Sequence, residues 1–264
     1  NYGMIDFFRD QFSVLNGGKL TGIWDIYNKQ YVLSIQPKNV NSFKTLSFDE
    51  QVQGWTSLYS YKPQHGLSLK SNYYTLGPSS IANTDTAGLY QQYISTVPRA
   101  QFYKTQGKSS IEFIFNPKAS MSKVFKTINY EGSNGWQVDS FVSDLTGVGS
   151  VDTDFLDFAT TNTQDTTALI YSYNQGAYDN YGNVAPAVLI PPVNRAGFAR
   201  KENKYMSNLV NSSIATPGEV VFGNAMTGIK GYFATVKISN DTVTDPGGTK
   251  ELYAASSDYV ESAY

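Results

Sequence analysis

The 264-residue chain balances 20 Lys and Arg against 22 Asp and Glu, lacks cysteine, and is rich in aromatics, with 20 tyrosines, 15 phenylalanines and 3 tryptophans. Zero cysteines exclude a disulfide scaffold, a cysteine nucleophile and thiolate metal sites. A formal net charge of -2 gives no electrostatic case for a nucleic-acid site, and no apolar run is long enough to predict membrane insertion. No secretory signal opens the chain, the missing cysteines fit synthesis in a reducing cytoplasm, and a first residue Asn1 fits a processed or partial product.

Aromatics and threonine favour pleated surfaces, while Gly, Asn and Asp favour the turns between them. The composition therefore predicts a mainly β fold: antiparallel hairpins in a sandwich, barrel-like or partial propeller-like assembly domain, with few short helices. Residues 1–19 read as a connector. Within it, apolar positions 4, 5, 7, 8, 12 and 15 fit one helical face, and Asn16-Gly17-Gly18 stops it. A strand pair interrupted at Asp10 is the alternative.

Residues 20–132 read as an antiparallel hairpin domain. Two strands flank an Asp25–Asn28 turn, with Tyr31, Leu33 and Ile35 on one face. TLSF, a DEQVQG turn and WTSLYSY repeat the form. A third unit places the turn Lys70-Ser71-Asn72 before Tyr73-Tyr74-Thr75-Leu76, with Gly88-Leu89-Tyr90 after a polar loop at 77–87. SSIEFIF at 109–115 is a strand closed by Asn116-Pro117. The Lys123/Lys126 pair reads as a solvated flank.

Residues 133–185 read as an irregular insertion or interdomain region, from which residues 168–171 return to the sheet. Residues 186–264 read as a C-terminal β region packing with 20–132. There FARKENKYMSNLV is either a helix or, preferably, a turn at 200–204 between strands. GIKGYFATVKIS at 228–239 is a strand with Tyr232, Ala234, Val236 and Ile238 toward a core.

No zinc-protease helix, phosphate-binding glycine motif or nucleophile elbow is present. His65, the one histidine, reads as part of a surface turn beside Pro63. Asp49/Glu50 and Asp152/Asp154 are the best carboxylate clusters, and both read as solvated turns, since a glycosidase pair must face across a sugar pocket. Asp152, Asp154 and Asp157 offer too few defined ligands for calcium. No catalytic, cofactor or metal site is expected. Arg200, Lys201 and Lys204 are interrupted by Glu202 and form no nucleic-acid platform. Trp24, Trp55, Tyr59 and Trp136 are expected in packing or subunit interfaces in preference to a sugar-stacking surface. The loop carrying Tyr178, Asn180 and Tyr181 is the preferred partner contact.

Taken together, the segments YNKQYVLSI, TLSFDEQVQGWTSLYSYKP, SSIEFIFNP, KVFKTINYEGS, GFARKENKYMSNLVN and GIKGYFATVKI resemble the C-terminal region of large virion structural proteins of tailed bacteriophages, including marine, cyanobacterial and crAss-like phages. The resemblance runs in spaced blocks through most of residues 20–264. It implies a non-enzymatic structural subunit of the tail, baseplate or neck, located in the virion and made in the host cytoplasm. Its implied partners are other virion structural proteins in a symmetric homo-oligomer. The alternative is a module at the tail tip that binds a host surface receptor or glycan.

Overall fold

The computed structural model describes residues 3–38, 42–78, 88–144, 170–173, 197–211, 226–242 and 244–262. These divide into two compact units, Asn1–Gly107 and Lys108–Tyr264. The architecture is mainly β with antiparallel sheets and one short helix, and no barrel closes among the described residues.

The N-terminal unit opens with α1 (Met4–Ser13), which ends as predicted, with Asn16 and Gly17 at positive φ. Four strands follow in a meander: β1 (Lys19–Asp25), β2 (Gln30–Gln36), β3 (Lys44–Asp49) and β4 (Gly54–Tyr59). Two connections in this meander use the same device. Asp25 ends β1, and its Oδ1 accepts the backbone N–H groups of Tyr27 (2.9 Å) and Asn28 (3.3 Å). Asp49 ends β3, and its Oδ1 accepts those of Gln51 (2.7 Å) and Val52 (3.3 Å). Each connection then returns through a residue at positive φ, Lys29 or Gln53. A carboxylate that mimics a backbone acceptor is what favours Asp at such turns. The two acidic groups are therefore turns, as expected, although Asp25 is fully buried.

A second sheet follows: β5 (His65–Leu69), β6 (Asn72–Gly77) and β7 (Gly88–Gln91). Its first hairpin pairs Leu69 with Asn72 across Lys70 and Ser71, both at positive φ. His65 is exposed as predicted, but it opens β5 and pairs with Leu76; it is not a turn residue. The two sheets meet through Ile23, Val32 and Tyr73, and Gly66 leaves room for the Ile23 side chain. A small hairpin, β8 (Gln101–Phe102) and β9 (Thr105–Gln106), turns through Tyr103 and Lys104, also at positive φ.

The C-terminal unit contains β10 (Ser110–Phe115), β11 (Lys123–Phe125), β12 (Thr127–Gly132), β13 (Trp136–Ser143), β14 (Ala199–Lys201), β15 (Lys204–Asn208), β16 (Val210–Asn211), β17 (Met226–Thr227), β18 (Ile229–Gly231), β19 (Ala234–Asn240), β20 (Leu252–Ser256) and β21 (Tyr259–Glu261). The sheet β10-β19-β13 and the sheets β14-β15-β12-β20 and β18-β11-β21 share one core. Its centre is Phe125, Ile128, Tyr130, Val138, Phe141, Val236 and Ile238. Ala234, Val236 and Ile238 point inward as the alternation predicts, whereas Tyr232 precedes the strand and is exposed. Ile170 bridges to Val138 and is buried, which matches the expected return to the sheet. The charged run at 199–208 is a hairpin turning at Glu202, not a helix.

Lys123 is a correction. It is fully buried in β11, and its Nζ donates to the carbonyls of Lys118 (3.0 Å) and Met121 (2.8 Å). The alternation of a strand packed on a core sends this side chain inward, where two backbone acceptors offset the loss of water.

The Lys70-Ser71 turn gives a direct test. Left-handed backbone costs a residue with a Cβ about 1–2 kcal/mol, while glycine adds unfolded-state entropy that offsets part of the gain. Ser71→Gly is expected to stabilise the N-terminal unit by about 0.5–1 kcal/mol, read as a raised denaturation midpoint.

Candidate assembly surface

Register decides which side chains the N-terminal unit hides. On the inner face of the first sheet, Thr21, Ile23 and Asp25 of β1, Val32, Ser34 and Gln36 of β2, and Thr45 and Ser47 of β3 are all buried. Most of these are polar, and all of the polar ones but Thr21 have a hydrogen-bond partner. Ser34 Oγ lies 2.9 Å from Thr45 Oγ1, Gln36 Nε2 donates to Ser34 Oγ (3.0 Å) and to the Pro63 carbonyl (2.6 Å), and Thr45 Oγ1 donates to the Tyr61 carbonyl (2.7 Å).

Tyrosines complete this interior. Tyr61 and Tyr73 place their hydroxyls 3.3 Å apart. The hydroxyl of Tyr103 donates to Thr75 Oγ1 (3.0 Å), and that of Tyr93 donates to Asp25 Oδ2 (2.8 Å). Phe102 stacks on Tyr61 at 4.7 Å and lies edge-on to Tyr59. Burial pushes the Tyr61 and Tyr73 phenols well above their ordinary value and the Tyr103 phenol to about 12. At the turn, the backbone donors of Gln51 and then Val52 hold the Asp49 carboxyl below its ordinary value.

Apart from the buried Ile23, Val32 and Tyr73, most apolar side chains of the two sheets lie on the opposite faces, where Ile35 and Leu46 are also buried. On the first sheet, cross-strand pairing puts Leu20, Trp24, Tyr31, Leu33, Leu46, Phe48, Trp55 and Leu58 on one side. The ring of Tyr31 lies over Gly22, where a Cβ would collide with it. α1 is held against this unit at two points. The rings of Phe8 and Trp55 are 5.1 Å apart, and the Leu15 carbonyl after the helix accepts from Gly18 (2.7 Å) and Lys38 (3.4 Å). Ile5, Phe12 and Val14 nevertheless remain exposed, as do Leu20, Trp24, Tyr31 and Leu58.

The outer face of the second sheet is more uniform. The pairs His65↔Leu76, Leu67↔Tyr74, Leu76↔Leu89 and Leu69↔Asn72 bring four leucines onto one side. All four are exposed, Leu69 at 57% and Leu89 at 63%. Clustered apolar exposure of this kind marks an interaction surface more often than scattered single residues do.

The aromatics singled out in the sequence thus separate. Trp55 packs between Phe8 and Phe48, and Tyr59 packs with Tyr61 and Phe102. Trp136 is buried in the C-terminal core, its indole N–H donating to the Glu251 carbonyl (3.1 Å). Trp24 is 40% exposed on the outer face. Tyr178, Asn180, Tyr181, the Asp152–Asp157 cluster and most of the 77–87 loop lie outside the described residues. Among the described residues no group of three metal-ligating side chains gathers, and no helix is long and apolar enough to cross a membrane. Sequence reading missed the leucine face, because its four members fall on three strands and converge only through register.

Residues 97–211 match the family model described as the Crassvirus muzzle protein C-terminal domain. The match spans the junction between the two units and includes β10 to β15. No curated protein matches the chain. The matched stretch carries the resemblance to structural proteins of crAss-like phages and supports a structural role in a phage virion.

The buried phenols set an alkaline limit for the N-terminal unit. Tyrosine in the unfolded chain ionises near 10, whereas the folded unit holds Tyr61, Tyr73 and Tyr103 protonated to higher pH. Their contribution is therefore complete below pH 10 and is lost as pH rises through the folded values. Tyrosinate absorbance is expected to rise in a cooperative step above pH 10, together with loss of β circular dichroism. A gradual titration at constant dichroism would contradict this.

Proposed function

We propose that the chain is a non-enzymatic structural subunit of the tail, baseplate or neck of a phage virion. It works through surfaces that neighbouring polypeptides cover. The single observation that carries this reading is the pair of apolar outer faces on the N-terminal unit: α1 with Leu20, Trp24, Tyr31 and Leu58, and the face of Leu67, Leu69, Leu76 and Leu89. At roughly 25 cal/mol per Å² of apolar area removed from water, covering such faces is a source of assembly free energy. The match of residues 97–211 to a muzzle protein domain supports the virion setting.

Protein partners suit these faces better than sugars do. A glycan site pairs aromatic rings with polar groups that bind hydroxyls. Here Trp24 and Tyr31 stand among Leu20, Leu33 and Leu58, and most hydrogen-bonding side chains of the first three strands, Lys44 excepted, are turned inward. Repetition of the chain around a symmetry axis would bury these faces in every copy.

The test is a phage carrying Leu67→Asp and Leu89→Asp together. Both positions are exposed, so each change alone is expected to move stability by no more than about 0.5 kcal/mol. Circular dichroism and thermal melting of the isolated variant should match wild type. Quantitative mass spectrometry of purified particles should show the variant chain depleted. Normal incorporation of a folded variant would count against this surface.

A further inference from the structure

We propose that the outer edge of β10 accepts an extended strand donated by a different virion polypeptide. The inference rests on reading the chain as a virion component. It goes beyond that reading by assigning a second, backbone-mediated contact in the C-terminal unit.

The phase of the ladder identifies the free groups. Asn240 N donates to the Ser109 carbonyl (2.9 Å), and the pairs Ile111↔Ile238, Phe113↔Val236 and Phe115↔Ala234 continue that register in steps of two. In an antiparallel ladder, bonded and non-bonded pairs alternate. Residues 109, 111, 113 and 115 therefore turn their backbone groups toward β19. Ser110, Glu112 and Ile114 turn their N–H and C=O groups away, about 7 Å apart along the strand. Among the described residues no strand pairs with this edge.

The side chains are unfinished in the same place. Phe113 and Phe115 pack against the core cluster but are only half-buried at its margin. Ile111 is 47% exposed on their side of the sheet and Ile114 is 61% exposed on the other. Two other edges carry the usual safeguards against pairing. β4 has a register irregularity against β3, and β14 presents Arg200 and Lys201. β10 runs unbroken against β19 and contains one charge, Glu112.

That charge selects the partner. An antiparallel self-pair around a two-fold axis places residues of equal parity opposite each other, so Glu112 would face Ser110, Glu112 or Ile114 of a second copy. Neither Glu112 nor Ile114 complements a carboxylate, Ser110 offers a hydroxyl but no charge, and the central register sets like charges together. The edge instead suits a heterologous strand with a basic residue opposite Glu112, continuing the row begun by Lys237 on β19, and apolar residues on the Phe113 face. Such addition combines main-chain hydrogen bonds with pockets for alternate side chains.

Residue-resolved hydrogen exchange on the full chain, free and in particles, reads the edge directly. In the free chain the amides of Ser110, Glu112 and Ile114 should exchange fast and those of Ile111, Phe113 and Phe115 slowly. In particles all six should be slow. Protection of the even-numbered set in the free chain would overturn the proposal. Ile114→Pro removes only an outward N–H, so the chain should melt as wild type yet lose incorporation into particles. Glu112→Lys should show the same loss by repelling the basic partner, and it serves if the proline variant does not fold. Wild-type incorporation of either folded variant, or cross-linking of two copies through position 112, would overturn the heterologous strand. Absence of the wild-type chain from particles would instead overturn the virion reading, while the alternating exchange of the free chain would still report an open edge.

Discussion

The N-terminal unit depends on one constraint: the register that turns its polar side chains inward. Ser34, Gln36, Thr45 and Asp25 are buried between two sheets, and each finds a partner there. Removing the partner of any of these four would cost about 1–3 kcal/mol, which favours this register over its alternatives. A one-residue slip of any strand would exchange the two faces. The tyrosines suit this interior because each brings a large ring and one hydroxyl that needs a partner. With the interior largely committed to hydrogen bonds, several leucines and aromatics are displaced outward.

That displacement links fold to role. A sandwich whose outer sides carry Leu67, Leu69, Leu76, Leu89, Trp24 and Leu58 presents apolar surface to whatever adjoins it. α1 extends the same pattern, since none of its residues is buried and a ten-residue helix is marginal by itself in water. The C-terminal unit is built conventionally, around an aromatic and aliphatic core that includes Trp136 and the stacked rings of Tyr130 and Tyr205 at 4.6 Å. There the unfinished part is an edge and not a face.

Much of this was legible in the sequence at the level of elements. The helix stop at Asn16-Gly17, the Asp25 and Asp49 turns, the Lys70-Ser71 hairpin and the strand at 109–115 all follow from local chemistry that operates within a few residues. The single strand expected at 228–239, by contrast, is broken at Tyr232-Phe233 into β18 and β19 of two different sheets. Which face of each strand is buried was not legible. Alternation groups Tyr31, Leu33 and Ile35 correctly but does not say that this side is exposed at Tyr31 and buried at Ile35. Lys123 was misread for a related reason: a lysine reads as solvated until the carbonyls of Lys118 and Met121 are seen to converge on it. The leucine face and the open edge of β10 depend on pairings between distant strands, which no local pattern encodes.

If the apolar faces drive assembly, neighbouring chains cover them in the assembled virion. A density map of the intact particle, at a resolution that traces this chain, tests it most directly. The chain should lie within the tail, baseplate or neck wall, with neighbouring polypeptide against the Leu67–Leu69–Leu76–Leu89 face and against α1. A map showing both faces open to solvent would contradict it.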